Sequence, residues 1–253
     1  MQSVAWKMLP YAGLEARTPG GLRLAVTDKG QWGCLDEIFI SRAYEPFWPS
    51  LRDVRGWVDL GCNAGFFSLA QQDFLNRNGA INEPTRAFLG DANETCVAQA
   101  REAIQRNGLA EYWTSEHVVI GPPGETVSFS QFKFSVHSSI FALQRGERTL
   151  RYPVTDVPAL VSRLSGVFDL IKIDIEGAEL FLIRHHNDLL NRFRYGLCEW
   201  HAPQFDGRAM REWLAGTGFQ ILQMRSQPAD YDLARGHSWD SPEIGRASCR
   251  ERV

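Results

Sequence analysis

Apolar and polar positions fall into blocks along the chain, and from Gly56 onward those blocks predict strands alternating with helices. Trp57-Val58-Asp59-Leu60 is a short apolar run with one acid near its end, and after a glycine-rich turn Phe66 to Ala70 opens a helix. Arg86 to Leu89 predicts a second strand ending at Asp91, and residues 93–107 a helix stopped by Gly108. A third strand is expected over His117 to Ile120, a hairpin-like excursion over 125–150 and a helix over 157–164. Phe168 to Ile175 is the most apolar strand, followed by a helix over 178–193, a fifth strand over 196–200, a helix over 208–215 and a late strand over 219–224. This alternation predicts an α/β doubly wound sheet. Residues 1–50 read as an N-terminal extension packing on that core. In it Leu22 to Val26 alternates like a short strand, Gly30 and Gly33 bracket a turn, and Asp36 to Tyr44 is a helix or a loop.

Composition narrows the function classes. The apolar and charged fractions, 44% and 23%, are those of an ordinary globular domain. A formal net charge of -3 gives no electrostatic footprint for nucleic acid, and no Lys/Arg run suggests an anionic membrane. No secretory signal is visible at the start, so a cytoplasmic location is expected. The five cysteines are scattered and never spaced as CxxC, which fits reduced thiols and no metal site. The last eleven residues, 243–253, resemble the read-through of a sequencing adapter and lack apolar periodicity. They are expected to be disordered, which would bound the main domain at 51–242 and leave the natural C-terminus cut short.

The strongest local signal is Val58-Asp59-Leu60-Gly61-Cys62-Asn63-Ala64-Gly65. In a doubly wound sheet, ligands bind at the carboxyl ends of the strands, and the first strand-to-helix turn must pass close to them. Glycine permits close approach because it lacks Cβ and accepts positive φ. The G-x-x-x-G spacing is neither the G-x-G-x-x-G of dinucleotide sites nor a phosphate-binding P-loop. Asp59 can accept from loop donors or a cationic ligand. Asp91 suits the vicinal hydroxyls of a ribose, although Asp91 or Asn93 also suits a helix N-cap. Gly61, Asn63, Gly65, Asp59, Asp91 and Asn93 are therefore the candidate cofactor-binding residues.

The run Asp169-Leu170-Ile171-Lys172-Ile173-Asp174-Ile175-Glu176-Gly177-Ala178-Glu179 is unusual for a central strand. Strand periodicity puts Lys172, Asp174 and Glu176 on one side and the three isoleucines on the other. Dry charges there are costly unless paired or open to a cleft. Lys172 can offset the carboxylates, and Glu179 can cap the next helix. His201 follows the fifth strand, near the same cleft. Asp174, Glu176, His201 and Lys172 are the candidate catalytic residues, and a purely structural ion-pair network is the competing reading.

Together these segments resemble the FkbM family of methyltransferases. The resemblance rests on VDLGCNAGFFSL at 58–69, GDAN at 90–93, DLIKIDIEGAE at 169–179 and CEWH at 198–201. Weaker echoes are EIF at 37–39 with Tyr44, and Ser138-Ser139. It implies the class I, Rossmann-like methyltransferase fold, a seven-stranded mostly parallel sheet with one antiparallel strand. It also implies S-adenosylmethionine as donor and a hydroxyl of a small metabolite as acceptor, with Asp91 two positions beyond the family's usual acid, which directly follows the Ala-Phe of the second strand. In-line methyl transfer needs alignment, exclusion of water and, for an alcohol, a general base. The competing functions are a non-catalytic S-adenosylmethionine-binding protein and a nicotinamide-dependent oxidoreductase.

Overall fold

The computed structural model describes residues 13–79, 84–131, 148–200, 220–227 and 244–250. The chain starts with a hairpin, β1 (Leu14–Arg17) and β2 (Arg23–Val26), followed by helix α1 (Lys29–Leu35). A π-helical turn at Asp36–Ile40 and a 3-10 helix at Glu45–Leu51 lead into the sheet. Then come β3 (Gly56–Leu60), α2 (Phe66–Asn78), β4 (Arg86–Asp91), α3 (Glu94–Arg106) and β5 (Trp113–His117). The excursion is an antiparallel pair, β6 (Thr126–Gln131) with β7 (Arg148–Pro153), as expected for its arms. The rest is α4 (Val157–Ser162), β8 (Leu170–Ile173), α5 (Glu179–His185), α6 (Asn187–Leu190), β9 (Tyr195–Trp200), β10 (Gln220–Gln227) and β11 (Ile244–Arg250).

Five parallel strands in the order β9-β8-β3-β4-β5 form the centre of the sheet. The order reverses at β3, so the carboxyl ends of β3, β4 and β8 open onto one crevice. Beyond β9 the sheet continues through β11 and β10, with β11 antiparallel to both neighbours. Segment 244–250 is therefore a strand, and the expectation of a disordered tail is corrected. That expectation rested on side-chain pattern, whereas β11 is held by backbone pairing with β9 on one side and β10 on the other.

Strand alternation divides the core into two layers. Trp57, Ala87, Leu89, Trp113, Leu170 and Leu197 face one side, under α2, α3 and the N-terminal segment. Val58, Leu60, Phe88, Ile171 and Ile173 face the other, against α4, α5 and α6. In the described part of the N-terminal segment Leu24, Val26, Leu35, Tyr44, Phe47 and Trp48 are buried in the same cluster as Trp57, Leu89 and Trp113.

Three local readings change. The turn expected around Gly30 and Gly33 is helix α1. The Asp28 carboxylate caps it by accepting from Gln31 N (2.9 Å), and Cys34 and Leu35 bury its inner face. The third strand is Trp113–His117, four residues earlier than the apolar run suggested. Edge strand β5 buries one face, while Val118 and Ile120 lead out of the sheet toward the crevice. The helix expected over 178–193 is split at His186, whose backbone leaves helical geometry (φ -130°).

Candidate active site

The turn after β3 is shaped by its neighbours on the sheet. Gly61 N and Cys62 N both donate to Gly90 O, at 2.8 and 3.1 Å. Gly61 has φ +77°, and a Cβ there would lie 1.6 Å from the carbonyl oxygen of Asp174. Glycine is thus required by the protein's own packing at the exit of β8, where ligand approach had been the expected reason. Gly65 (φ +82°) starts α2, and its missing Cβ faces Leu89 and Ala100 rather than the crevice. Asn63 is one of few non-glycine residues in the left-handed region (φ +48°), and its side-chain oxygen accepts from Ala64 N at 2.7 Å.

Asp91 ties two turns together. One carboxylate oxygen accepts from Asn63 N and the other from Asn93 N, both at 2.8 Å. Asn93 is buried and caps α3 by accepting from Thr95 N at 3.0 Å. Its structural reading holds, and it does not line the cavity. Burial pushes the Asp91 carboxyl up to about 6, against the opposing pull of the two N–H donors. Each carboxylate oxygen keeps further acceptor capacity, and Asp91 lines the main cavity beside Gly61, Cys62, Asn63 and Ala92.

Asp59 behaves differently. Its side chain is 0% exposed, and it is not among the cavity-lining residues. It accepts from Ser68 Oγ at 2.8 Å, Ser68 in turn accepts from Trp57 Nε1 at 2.9 Å, and Lys172 Nζ lies 3.3 Å from the other carboxylate oxygen. Asp59 is therefore corrected from ligand contact to buried support, two residues too deep along the sheet to reach the crevice.

Lys172 stands at the junction. Its ammonium donates to Gly61 O (2.8 Å) and pairs with Asp174 (3.0 Å) and Asp59. Burial alone favours loss of its charge, but the facing carboxylates of Asp174 and Asp59 outweigh burial and hold its pKa well above the ordinary lysine value. The expected parity holds here, with Ile171 and Ile173 on the opposite face. The strand stops at Ile173, so Asp174 and Glu176 lie on the turn, Glu176 at φ +52°. Glu179 folds this turn back by accepting from Ile175 N at 3.0 Å.

All these pieces meet in one cavity of about 160 Å³. The Gly61–Asn63 turn, Asp91, Lys172, Asp174 and Glu176 line it, beside apolar Val118, Ile120 and Phe129. A carboxylate for a diol next to an apolar wall suits a nucleoside, and the other carboxylates suit a cationic group. His201 and Ser138-Ser139 lie outside the described residues.

Several cavity residues were given no site role in the sequence reading, although Glu37, Ile38, Tyr44 and Glu199 fall in segments that carry the resemblance. Cys34, Glu37, Ile38 and Tyr44 reach it from the N-terminal segment, and Glu199 from the end of β9. The cluster of aromatic residues at Tyr44, Phe47 and Trp48 was the available signal, because such a run in an extension must pack on something. Burial pushes the thiols of Cys34 and Cys62 up, which disfavours the thiolate form at both.

Comparison with known proteins adds an independent line. The family described as "Methyltransferase FkbM domain" matches residues 52–221. Among curated proteins, none matches this sequence. Among solved structures, the METTL16 MTase domain is similar at 13% identity, covering 97% of this chain and 88% of that one, with a TM-score of 0.50. TrmK from M. capricolum, in complex with S-adenosylhomocysteine, has 9% identity, coverage of 81% and 67%, and a TM-score of 0.48. An O-methyltransferase from Bacillus cereus, also in complex with S-adenosylhomocysteine, has 13% identity, coverage of 87% and 91%, and a TM-score of 0.47. The METTL16 domain shares the fold, a Rossmann-like methyltransferase sheet.

Proposed function

The chain belongs to the FkbM methyltransferase family, and from that premise we propose that it transfers a methyl group from S-adenosylmethionine to a hydroxyl of a small metabolite. One observation carries this reading: Asp91, the Gly61–Asn63 turn and the Lys172–Asp174 pair line the same cavity. We also infer that β11, antiparallel to both its neighbours, completes a seven-stranded class I sheet.

Bound S-adenosylmethionine supplies a methyl group already activated on a sulfonium. The protein's own residues bind, orient and exclude water. Asp91 offers acceptor oxygens to ribose hydroxyls, and Val118, Ile120 and Phe129 offer an apolar face to the base. Lys172 fixes the Gly61 carbonyl and Asp174 together, which sets the turn on which the donor rests. Phe66, Phe67 and Ile38 bring apolar surface to the other side. Lys172 acts on its neighbours, so it is a positioning residue in this scheme.

Carboxylates dominate the cavity's charged lining: Glu37, Asp91, Asp174, Glu176 and Glu199 against Lys172. That lining supports a neutral or cationic acceptor over a phosphate-bearing one, and so argues against nucleic acid. Among the described residues no helix is long and apolar enough to cross a membrane. A cytoplasmic location belongs to the same proposal, supported by the reduced thiols of Cys34 and Cys62.

The test is S-adenosylhomocysteine release over a probe panel of catechol, methyl α-D-glucopyranoside, benzylamine and thiophenol. Turnover of a hydroxyl probe supports O-methylation. Turnover confined to the amine or thiol contradicts it. Donor binding without any turnover favours a non-catalytic binding protein, and NAD binding in its place favours an oxidoreductase.

A further inference from the structure

An alcohol acceptor gives up a proton, and Asp174 is poorly placed to take it. Proton uptake by Asp174 costs its ion pair with Lys172 at 3.0 Å. Glu176 lines the cavity from a left-handed turn at φ +52°, and His201 lies outside the described residues.

A different pair faces the cavity. The Tyr44 hydroxyl donates to Glu199 Oε2 at 3.4 Å, joining residues 155 apart in sequence. Both line the cavity with Lys172 and Asp174. The Tyr44 side chain is held firmly: the residue is 4% exposed, and its ring centroid lies 5.0 Å from Phe67 and 5.9 Å from Trp48. This packing leaves the hydroxyl as the polar end of a fixed ring. A 3.4 Å contact is long for an O–H donor, but catalytic hydrogen bonds commonly tighten only when substrate is bound. Tyr44 lies ahead of the matched residues 52–221 and Glu199 within them, so the pair joins the N-terminal segment to the methyltransferase domain.

We propose that Tyr44 and Glu199 form the couple that accepts the acceptor's proton. Tyr44 is the catalytic group, and Glu199 is the acid–base partner acting through it. The inference rests on the methyl-transfer reading above. The acceptor oxygen bonds to the methyl carbon as the methyl–sulfur bond breaks, sulfur keeping that electron pair. The acceptor's proton passes to the Tyr44 oxygen while Tyr44's own proton passes to Glu199. Tyr44 ends neutral, and Glu199 ends as a carboxylic acid that returns its proton to solvent. In this arrangement the N-terminal segment brings the proton acceptor to a cofactor crevice built by the sheet.

The experiment compares Tyr44→Phe, Glu199→Gln and the double variant with the unmodified protein, using whichever hydroxyl probe of the panel is turned over. Tyr44→Phe keeps the packed ring. Its kcat should fall about 100-fold, with S-adenosylmethionine affinity and probe KM within about twofold. Glu199→Gln should lose a similar factor and erase the acidic limb of the kcat–pH profile. The double variant should be no slower than the slower single one, because the two residues act as a unit. Wild-type kcat in Tyr44→Phe, or an intact acidic limb in Glu199→Gln, overturns the couple. So does a parallel loss of melting temperature and donor affinity with an unchanged pH profile, which marks a structural pair. Failure of the methyl-transfer reading shows earlier, in the unmodified protein, as absent donor binding or absent turnover.

Discussion

Asp59 and Asp91 both close apolar strands of the same sheet and look interchangeable as ligand contacts, but they sit at different depths. The register pairs Asp59 with Leu89, so Asp91 shares its sheet face and lies two residues further along. Two residues of strand are about 7 Å. That distance separates a carboxylate sealed with Lys172 and Ser68 from one that lines the cavity. Asp59 supports the crevice from beneath, and Asp91 meets what enters it. Depth along the strand decides the role, and residue type does not.

The largest effect should come from the turn between the two acids. Gly61→Val places a Cβ against the Asp174 carbonyl in a backbone region that valine avoids. Destabilisation above about 4 kcal/mol and no S-adenosylmethionine binding are expected. Urea unfolding with calorimetry measures both. A stable, binding-competent variant would break the account of this turn.

Next in size is the buried support. Lys172→Met strands Asp59 without its cation, and breaking such a pair costs about 3–5 kcal/mol. Adding Asp59→Asn should restore part of that stability. No recovery in the double variant would mean that Lys172 stabilises the fold mainly through Gly61 O and Asp174.

The comparison itself is sharpened by two matched substitutions. Asp59→Asn should lower the unfolding midpoint while leaving donor affinity near wild type in the folded protein. Asp91→Asn should weaken donor binding about tenfold or more, at a stability cost of about 1 kcal/mol for one lost loop hydrogen bond. The reversed pattern would exchange the two roles.

The smallest effect is the pH dependence of binding. The Asp91 carboxyl, pushed up to about 6, is ionised above that pH and neutral below it. Donor affinity that needs the carboxylate should therefore be complete near pH 7.5 and fall as pH drops through about 6. Asp91→Asn should flatten this dependence.

Much of this was legible in the sequence because strand periodicity carries face information. It placed Lys172 opposite Ile171 and Ile173, and it brought Asp91 and Asp174 to one crevice. It did not carry depth, which depends on where neighbouring strands end, so Asp59 and Asp91 looked alike. Gly61 was recognised for the right freedom and the wrong neighbour, since the carbonyl it makes room for lies 113 residues away in sequence. Tyr44 and Glu199 were missed as a pair because their contact is purely tertiary. Strand β11 was missed because its pairing with β9 and β10 is a backbone interaction that side-chain pattern does not report.

The central claim is that the crevice at Gly61–Asn63 and Asp91 holds a methyl donor. Isothermal titration of the unmodified protein at pH 7.5 with S-adenosylmethionine, and in parallel with NAD, tests it most directly. The account predicts saturable one-to-one binding of S-adenosylmethionine and none of NAD. Binding of NAD, or no binding of S-adenosylmethionine by the folded protein, would contradict it.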